Sequence, residues 1–218
     1  DNMLRMALIL LPASLVEGWM LSHVIRLIVL NQRWPFQPTG DTEADLKTLE
    51  PRMRGVMSGL ITYALINMLI AGVMAVLMGM VPDTMDPAAG AAVSPQQAML
   101  MMLIMAGCVW GFPLLWLYIP MATSMDPKSW AKSVVGLKFS FPMIAIWMLC
   151  YLPVAAITLF GVSAILSPFG QGEIPAGARF AVIIIGVILD TAKALLGTAG
   201  MTFALTEFYK NSKLDKRV

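Results

Sequence analysis

Three long stretches of the chain carry no charged residue. They run from 55 to 81, from 98 to 125 and from 139 to 167. Each is longer than the ~20 residues that an α-helix needs to cross ~30 Å of hydrocarbon. Because backbone polar groups at that depth have to be bonded within their own segment, these stretches predict three membrane-spanning helices.

Two further stretches are apolar but contain charged side chains. Residues 180 to 207 predict one more span, which is the last in chain order. Residues 4 to 30 are apolar enough to span, yet they include Glu17, His23 and Arg26. Because these three residues do not share one face, an in-plane helix is poorly supported, and we expect the segment to span or to insert deeply. A signal peptide is rejected for lack of a clear cleavage site, and a natural start upstream of Asp1 stays open.

The segment from 31 to 54 is the longest connection. Trp34 and Phe36, flanked by prolines, are typical of aromatic anchors at the level of the lipid headgroups. Residues 42 to 45 resemble a capping box, which predicts a short helix that stops before Pro51 and a second span that begins there. In the third span, we expect Pro113 and Pro120 to bend the helix in one direction.

Lys and Arg alternate along the connecting segments. Four lie in 31–54, none between spans two and three, three between spans three and four, one between spans four and five, and four in the tail. By the positive-inside rule, segment 31–54, the Lys128–Lys138 loop and the C-terminus are expected to be cytoplasmic, in a bacterial inner membrane.

The composition supports the same class. Hydrophobic residues make up 58% of the 218 residues and charged residues 13%, against about 25% charged in soluble domains. We therefore expect one membrane domain, an all-α polytopic helix bundle with four spans and a fifth at the N-terminus. The net charge of +2 is too small to suggest a nucleic-acid partner. Cys108 and Cys150 fall within predicted spans, where we expect free thiols that pack as small apolar residues.

Small residues mark two faces that predict helix packing. Gly55 and Gly59 begin a row that Tyr63 and Asn67 continue at spacings of four. A second row on the last span, which we call the α7 stripe, alternates spacings of four and three and combines small with charged residues. The α7 stripe consists of Gly186, Asp190, Lys193, Gly197, Gly200, Ala204 and Glu207. The other faces of this span, Leu205 among them, are expected to meet lipid.

Asp190 and Lys193 are the candidate intramembrane charged site. Each charge near the bilayer centre costs ~3 kcal/mol of insertion free energy, so the pair costs roughly 6 kcal/mol. Twelve Phe, Val, Ile and Leu residues between 180 and 205 each favour insertion by ~0.5 kcal/mol, which offsets about the same amount. The span therefore needs the two charges to neutralise each other or to be sheltered by neighbouring helices. Glu17 is the candidate long-range partner of Lys193.

Other chemistry finds little support. His23 is the only histidine, so a bis-histidine haem is impossible, and a pigment or a Met-paired ligand is a minor alternative to an ordinary packed histidine. Methionine pairs at spacings of four, such as Met101 and Met105, are better explained by flexible packing than by copper binding, and no metal site or cofactor is expected. No catalytic or phosphate-binding motif is present, so an enzyme is not expected.

These observations favour a non-enzymatic membrane subunit or scaffold that docks to a larger membrane protein assembly through its small-residue faces. The alternative is a proton- or ion-coupled transporter or channel that uses Asp190, Lys193 and Glu17. A third hypothesis is an electron-transfer or light-harvesting accessory with a cofactor at His23. Lipid and other membrane subunits are the expected partners.

Overall fold

The computed structural model describes residues 2–80, 95–169 and 174–214 of the chain. This part is an all-α polytopic membrane bundle without strands. Its elements, in order, are α1 (Asn2–Leu30), α2 (Thr42–Met80), α3 (Pro95–Gly111), a 3-10 helix (Phe112–Trp116), α4 (Tyr118–Ala122), α5 (Pro127–Val134), α6 (Leu137–Leu166), a second 3-10 helix (Ser167–Phe169) and α7 (Ala176–Leu214).

Five stretches of the described chain are long and apolar enough to cross a membrane. They are Leu11–Leu30, Thr42–Ala75, Ala98–Ala122, Leu137–Phe169 and Ala176–Phe208. α1 packs against α2, α4 and α7, and α6 packs against α7 and α3. The bundle is therefore built around α1 and α7, with α2 on one side and the α6–α3 pair on the other.

The core lies where α1, α2, α4, α5 and α7 meet. Its buried side chains include Ile25, Ile119, Trp130, Met201 and Leu205. Most of the remaining helix surface is apolar and exposed, for example at Met102, Leu149, Phe160, Val187 and Ile188. In water such a surface would aggregate, whereas in a bilayer lipid tails cover it, as the composition predicts.

One sequence prediction about a helix boundary is wrong. α2 runs without a break from Thr42 to Met80 with Pro51 inside it, so no separate short helix precedes the second span. Because Pro51 has no backbone N–H, the carbonyl four residues before it has no helical hydrogen-bond donor. That carbonyl lies in the exposed first turns of α2, where water can serve as the donor. In the third span, where the sequence predicts a bend at Pro113, the helix changes to 3-10 geometry over Phe112–Trp116 before α4 begins.

The cap of α2 is also shifted by one residue from the predicted box. The carboxylate of Asp41 accepts from the backbone N–H groups of Glu43 and Ala44, at 3.0 and 3.3 Å. Asp45 reaches back and accepts from the backbone N–H of Thr39 at 3.0 Å. This double contact fixes the chain direction between the connecting segment and the second span.

Short α5 closes one end of the bundle. Asp126 caps it by accepting from the backbone N–H groups of Lys128 and Ser129. Trp130 and Val134 are buried against the core, whereas Lys128 is exposed. Arg26 of α1, Arg52 of α2 and Lys128 all lie at this end, which we call the basic end.

Candidate functional site

The glycine row of α2 packs against α1 and α4, as its spacing predicts for a close helix contact. A Cβ added at Gly59 would lie 2.5 Å from Ser22 Oγ and 2.7 Å from Ala122 Cβ. A Cβ added at Gly55 would lie 2.7 Å from the Ala122 carbonyl oxygen and would collide with the guanidinium of Arg26. Only glycine therefore fits at these two positions while the helices keep their present separation.

Arg26 is the charged side chain at this contact, and it is only 4% exposed. Its Nη1 donates to the Ala122 carbonyl at 2.5 Å and its Nε to the Gln32 side chain at 2.9 Å. Ala122 is the last residue of α4, where helix carbonyls lack intrahelical partners. The guanidinium thus joins the ends of α1 and α4 above Gly55.

Deeper along the same contact lies a polar group of three residues. Tyr63 of α2 is hydrogen-bonded to Glu17 of α1 and to Asn67 one turn further along α2. The Tyr63 ring also meets Tyr118 edge to face, with centroids 5.0 Å apart. The Tyr118 hydroxyl is 2.9 Å from the Thr198 hydroxyl of α7 in a buried hydrogen bond. Polar contacts therefore run across the bundle from α1 through α2 to α7.

Asp190 and Lys193 form a salt bridge one turn apart on α7. The Lys193 side chain is 34% exposed and its Nζ lies 5.4 Å from the centroid of the Tyr151 ring on α6. The Asp190 side chain is 71% exposed. The amine is thus partly covered by a neighbouring aromatic face, whereas the carboxylate is open.

This pair lines a groove between α6 and α7. The groove has a volume of about 280 Å³, and its lining consists of Tyr151, Ala155, Thr158, Leu159, Gly186, Leu189, Asp190 and Lys193. Close to it on α7, Val187 and Ile188 are more than half exposed. The open carboxylate therefore sits in an otherwise lipid-facing surface.

Glu17 is near this pair but is not the salt-bridge partner of Lys193. It interacts electrostatically with both Asp190 and Lys193. A cleft at the basic end brings Val29 of α1 together with Thr206 of α7. Counting about 1.5 Å per residue from these two, Glu17 and Lys193 both lie roughly 18–20 Å from the basic end. Both charges thus lie inside the apolar stretches Leu11–Leu30 and Ala176–Phe208, which are long enough to cross a bilayer about 30 Å thick.

The remaining residues of the α7 stripe divide between two environments. Gly197 is buried, and a Cβ added there would lie 3.9 Å from the Trp116 side chain. A Cβ added at Gly200 would lie 2.8 Å from Cys150 Sγ on α6. A Cβ at Gly186 would meet nothing within 4 Å. Ala204 is partly buried and Glu207 is exposed. Gly197 and Gly200 are thus closed within the chain, and the half of the stripe with Gly186 and Asp190 is open.

One residue assigned to the lipid face of α7 is buried instead. Leu205 is 1% exposed and belongs to the core beside Ile119 and Trp130. The reason is that α5 folds back over this end of α7. A sequence periodicity shows which residues share a face, but it gives no indication of a short helix that covers a second face.

His23 lies in an aromatic group with Trp19 and Trp34. Its ring is 4.8 Å from Trp19 and 5.8 Å from Trp34, centroid to centroid. Its Nδ1 is buried without a hydrogen-bond partner among the described atoms. The described residues contain no group of three His, Cys, Asp or Glu side chains that could hold a metal ion. Cys108 and Cys150 are both free.

Sequence reasoning gave no role to Arg26 at the glycine contact. The available signal was its position one turn before the end of an apolar segment, but its acceptor, the backbone carbonyl of Ala122 on α4, is not indicated by any sequence pattern. Comparison with protein-family models, curated proteins and solved structures finds no match for this chain.

Proposed function

We propose that this chain is a non-enzymatic subunit of a larger assembly in the bacterial inner membrane, with its C-terminus in the cytoplasm. In this proposal, a transmembrane helix of another protein lies in the groove between α6 and α7. The observation that carries the proposal is the Asp190 carboxylate, which is 71% exposed in a lipid-facing surface and lies near the middle of the apolar stretch Ala176–Phe208.

Leaving this carboxylate against lipid tails is unfavourable. A charge at the bilayer centre costs about 2.5–3.5 kcal/mol on the insertion scale. Lys193 offsets part of this cost through the salt bridge, but the Asp190 side chain is still 71% exposed. A neighbouring helix that brings a hydrogen-bond donor or a cation would complete the site.

Gly186 favours the same occupant. It lines the groove one turn before Asp190, and it is open, since an added Cβ would meet no atom within 4 Å. A glycine beside a polar residue lets a second backbone approach closely enough for a hydrogen bond. The partner is therefore expected to be a transmembrane helix with a polar or basic residue at mid-depth and small residues around it.

The test is recovery of a partner from native membranes with the full chain as bait. Asp190→Asn keeps the shape of the side chain and removes its charge. We expect it to reduce recovery of a discrete membrane protein at least about fivefold, while the yield of folded bait stays unchanged. Glu43→Gln, which removes an exposed carboxylate paired with Lys47 outside the groove, is the control. Equal recovery with the two variants would contradict the proposal.

A proton- or ion-coupled transporter is the second candidate, and one observation favours it. Glu17, Asp190 and Lys193 interact at similar depth, and Tyr63 hydrogen-bonds to Glu17. Such a set can pass a proton between carboxylates. Reconstituted protein would then carry a proton or cation flux that Glu17→Gln abolishes. No flux above empty liposomes, with inserted protein verified, would exclude this candidate.

A further inference from the structure

A group of four basic side chains surrounds the point where α1 and α2 reach the basic end. Arg26 and Arg52 are 4% and 7% exposed, whereas His23 is partly buried and Arg33 is exposed. His23 interacts electrostatically with both buried arginines. We call these four residues the basic cluster.

The hydrogen bonds of the two buried guanidiniums go to neutral acceptors. Arg26 donates to the Ala122 carbonyl and the Gln32 side chain. Arg52 donates to the Arg33 carbonyl, and its guanidinium lies 5.7 Å from the centroid of the Phe36 ring. These contacts satisfy N–H groups of the two guanidiniums and place Arg52 against the Phe36 ring, but they do not neutralise the positive charge of either arginine.

Two permanent charges held this way create a strong positive potential around them. Arginine stays protonated in proteins, so neither group can lose its charge to relieve the repulsion between them. In surroundings of low dielectric constant their field is weakly screened and extends to the nearby surface. An anion at that surface would therefore be bound more tightly than at an exposed arginine.

Aromatic residues place this surface at the lipid headgroups. Trp34 is 58% exposed and packs with Trp19 and His23, at centroid distances of 5.3 and 5.8 Å. Tryptophan is enriched at this level of the membrane, and basic pockets between helices there suit anionic headgroups. Arg33, next to Trp34 in the chain, is the exposed cation that a headgroup would meet first.

We propose that the basic cluster binds the phosphate of an anionic phospholipid from the leaflet at the basic end. Phosphate oxygens match guanidinium N–H donors in geometry and charge. Arg33 contacts the phosphate, His23 and Trp34 flank it, and the two buried arginines supply the positive field beneath it. This site is independent of the groove between α6 and α7.

The test is native mass spectrometry of the full chain released from bilayers of equal phosphatidylglycerol and phosphatidylcholine. We expect phosphatidylglycerol to be retained about fivefold over phosphatidylcholine or more. Arg33→Gln should reduce this preference about fivefold, the effect of one cation at an anionic surface. Arg54→Gln is the matched control, because Arg54 is exposed on α2 and already paired with Glu50. In the Arg54→Gln variant, the preference for phosphatidylglycerol over phosphatidylcholine should change less than twofold.

Arg33 is used because its exposed side chain can be replaced without opening the core, so the variant is expected to fold. Equal retention of the two lipids, or equal effects of Arg33→Gln and Arg54→Gln, would overturn the proposal. A second measurement distinguishes the source of the phosphate. If inorganic phosphate at millimolar concentration raises the Tm of delipidated protein as much as phosphatidylglycerol does, the site is a free-phosphate site and the lipid proposal fails.

Discussion

The contact between α1 and α2 and the groove between α6 and α7 are built from the same residue types. Both have glycines on one helix face and a charged side chain close by. At the first, Gly55 and Gly59 press against Ser22, Ala122 and Arg26, and an added Cβ has no room. At the second, an added Cβ at Gly186 meets nothing, and Asp190 is 71% exposed.

These two regions show that a row of small residues predicts close packing without identifying the partner. Where the chain supplies the second helix, the charge is buried and bonded, as Arg26 is to Ala122. In the groove, where an added Cβ at Gly186 would meet no atom, the charge of Asp190 stays exposed. Within the α7 stripe both cases occur, with Gly200 closed by α6 and Gly186 open. The open half is therefore where an outside helix is expected.

The largest expected effect comes from the closed contact. Gly55→Ala should lower the free energy of unfolding by about 1–3 kcal/mol, the usual cost of overpacking, because its Cβ would displace the Arg26 guanidinium and the Ala122 carbonyl. Thermal unfolding in detergent measures it. Gly186→Ala is the matched control and should be neutral or slightly stabilising, since alanine favours helix. Equal losses of Tm would remove the distinction between the two regions.

A smaller loss of stability, which a second substitution should recover, is expected at Gly200. Gly200→Ala brings a Cβ to 2.8 Å from Cys150 Sγ, and we expect a loss of about 1 kcal/mol. Cys150→Ala removes the sulfur, so the double variant should recover most of that loss, with a coupling energy of at least about 0.5 kcal/mol. The four unfolding free energies of the cycle measure this coupling. Additive losses would show that α6 and α7 do not approach as described.

The smallest expected effect lies outside the membrane, at the cap of α5. The hydrogen bonds of the Ser129 hydroxyl and backbone N–H hold the pKa of the Asp126 carboxyl below its usual value. A lowered pKa in the folded protein means that this stabilisation is present above the unfolded pKa of about 3.9 and is lost as pH falls through the lower folded value.

We therefore expect the amides of Lys128 and Ser129 to exchange faster with solvent when Asp126 is replaced by Ala at neutral pH. Hydrogen exchange with mass spectrometry measures this, and amides within α6 are the internal control. Unchanged exchange in Asp126→Ala would show that Asp126 does not hold the first turn of α5.

The fold class could be predicted from the sequence because lipid imposes a simple rule. Uncharged stretches longer than about 20 residues have few alternatives to helices that span. The positions at which helices break were harder. Pro51 lies inside α2 and Pro113 begins a 3-10 helix, and whether a proline is tolerated depends on donors around it that the sequence does not specify.

The candidate site was predictable only in part. The spacing of Asp190 and Lys193 identifies the pair, since residues three apart share a helix face. Glu17 was identified as a neighbour from its charge, yet Lys193 pairs on its own helix. The role of Arg26 and the burial of Leu205 depend on where α4 and α5 fold back, and such long-range placement leaves no local pattern.

The sharpest test of docking in the groove between α6 and α7 places a photoreactive amino acid at position 159, an exposed leucine of the groove lining, in cells and irradiates native membranes. We predict one discrete cross-linked product with another membrane protein, which is lost when Asp190→Asn is added. The same amino acid at Met102, exposed on α3, should give no such product. A bait cross-linked at position 159 to lipid alone, or a protein adduct unaffected by Asp190→Asn, would contradict the proposed docking.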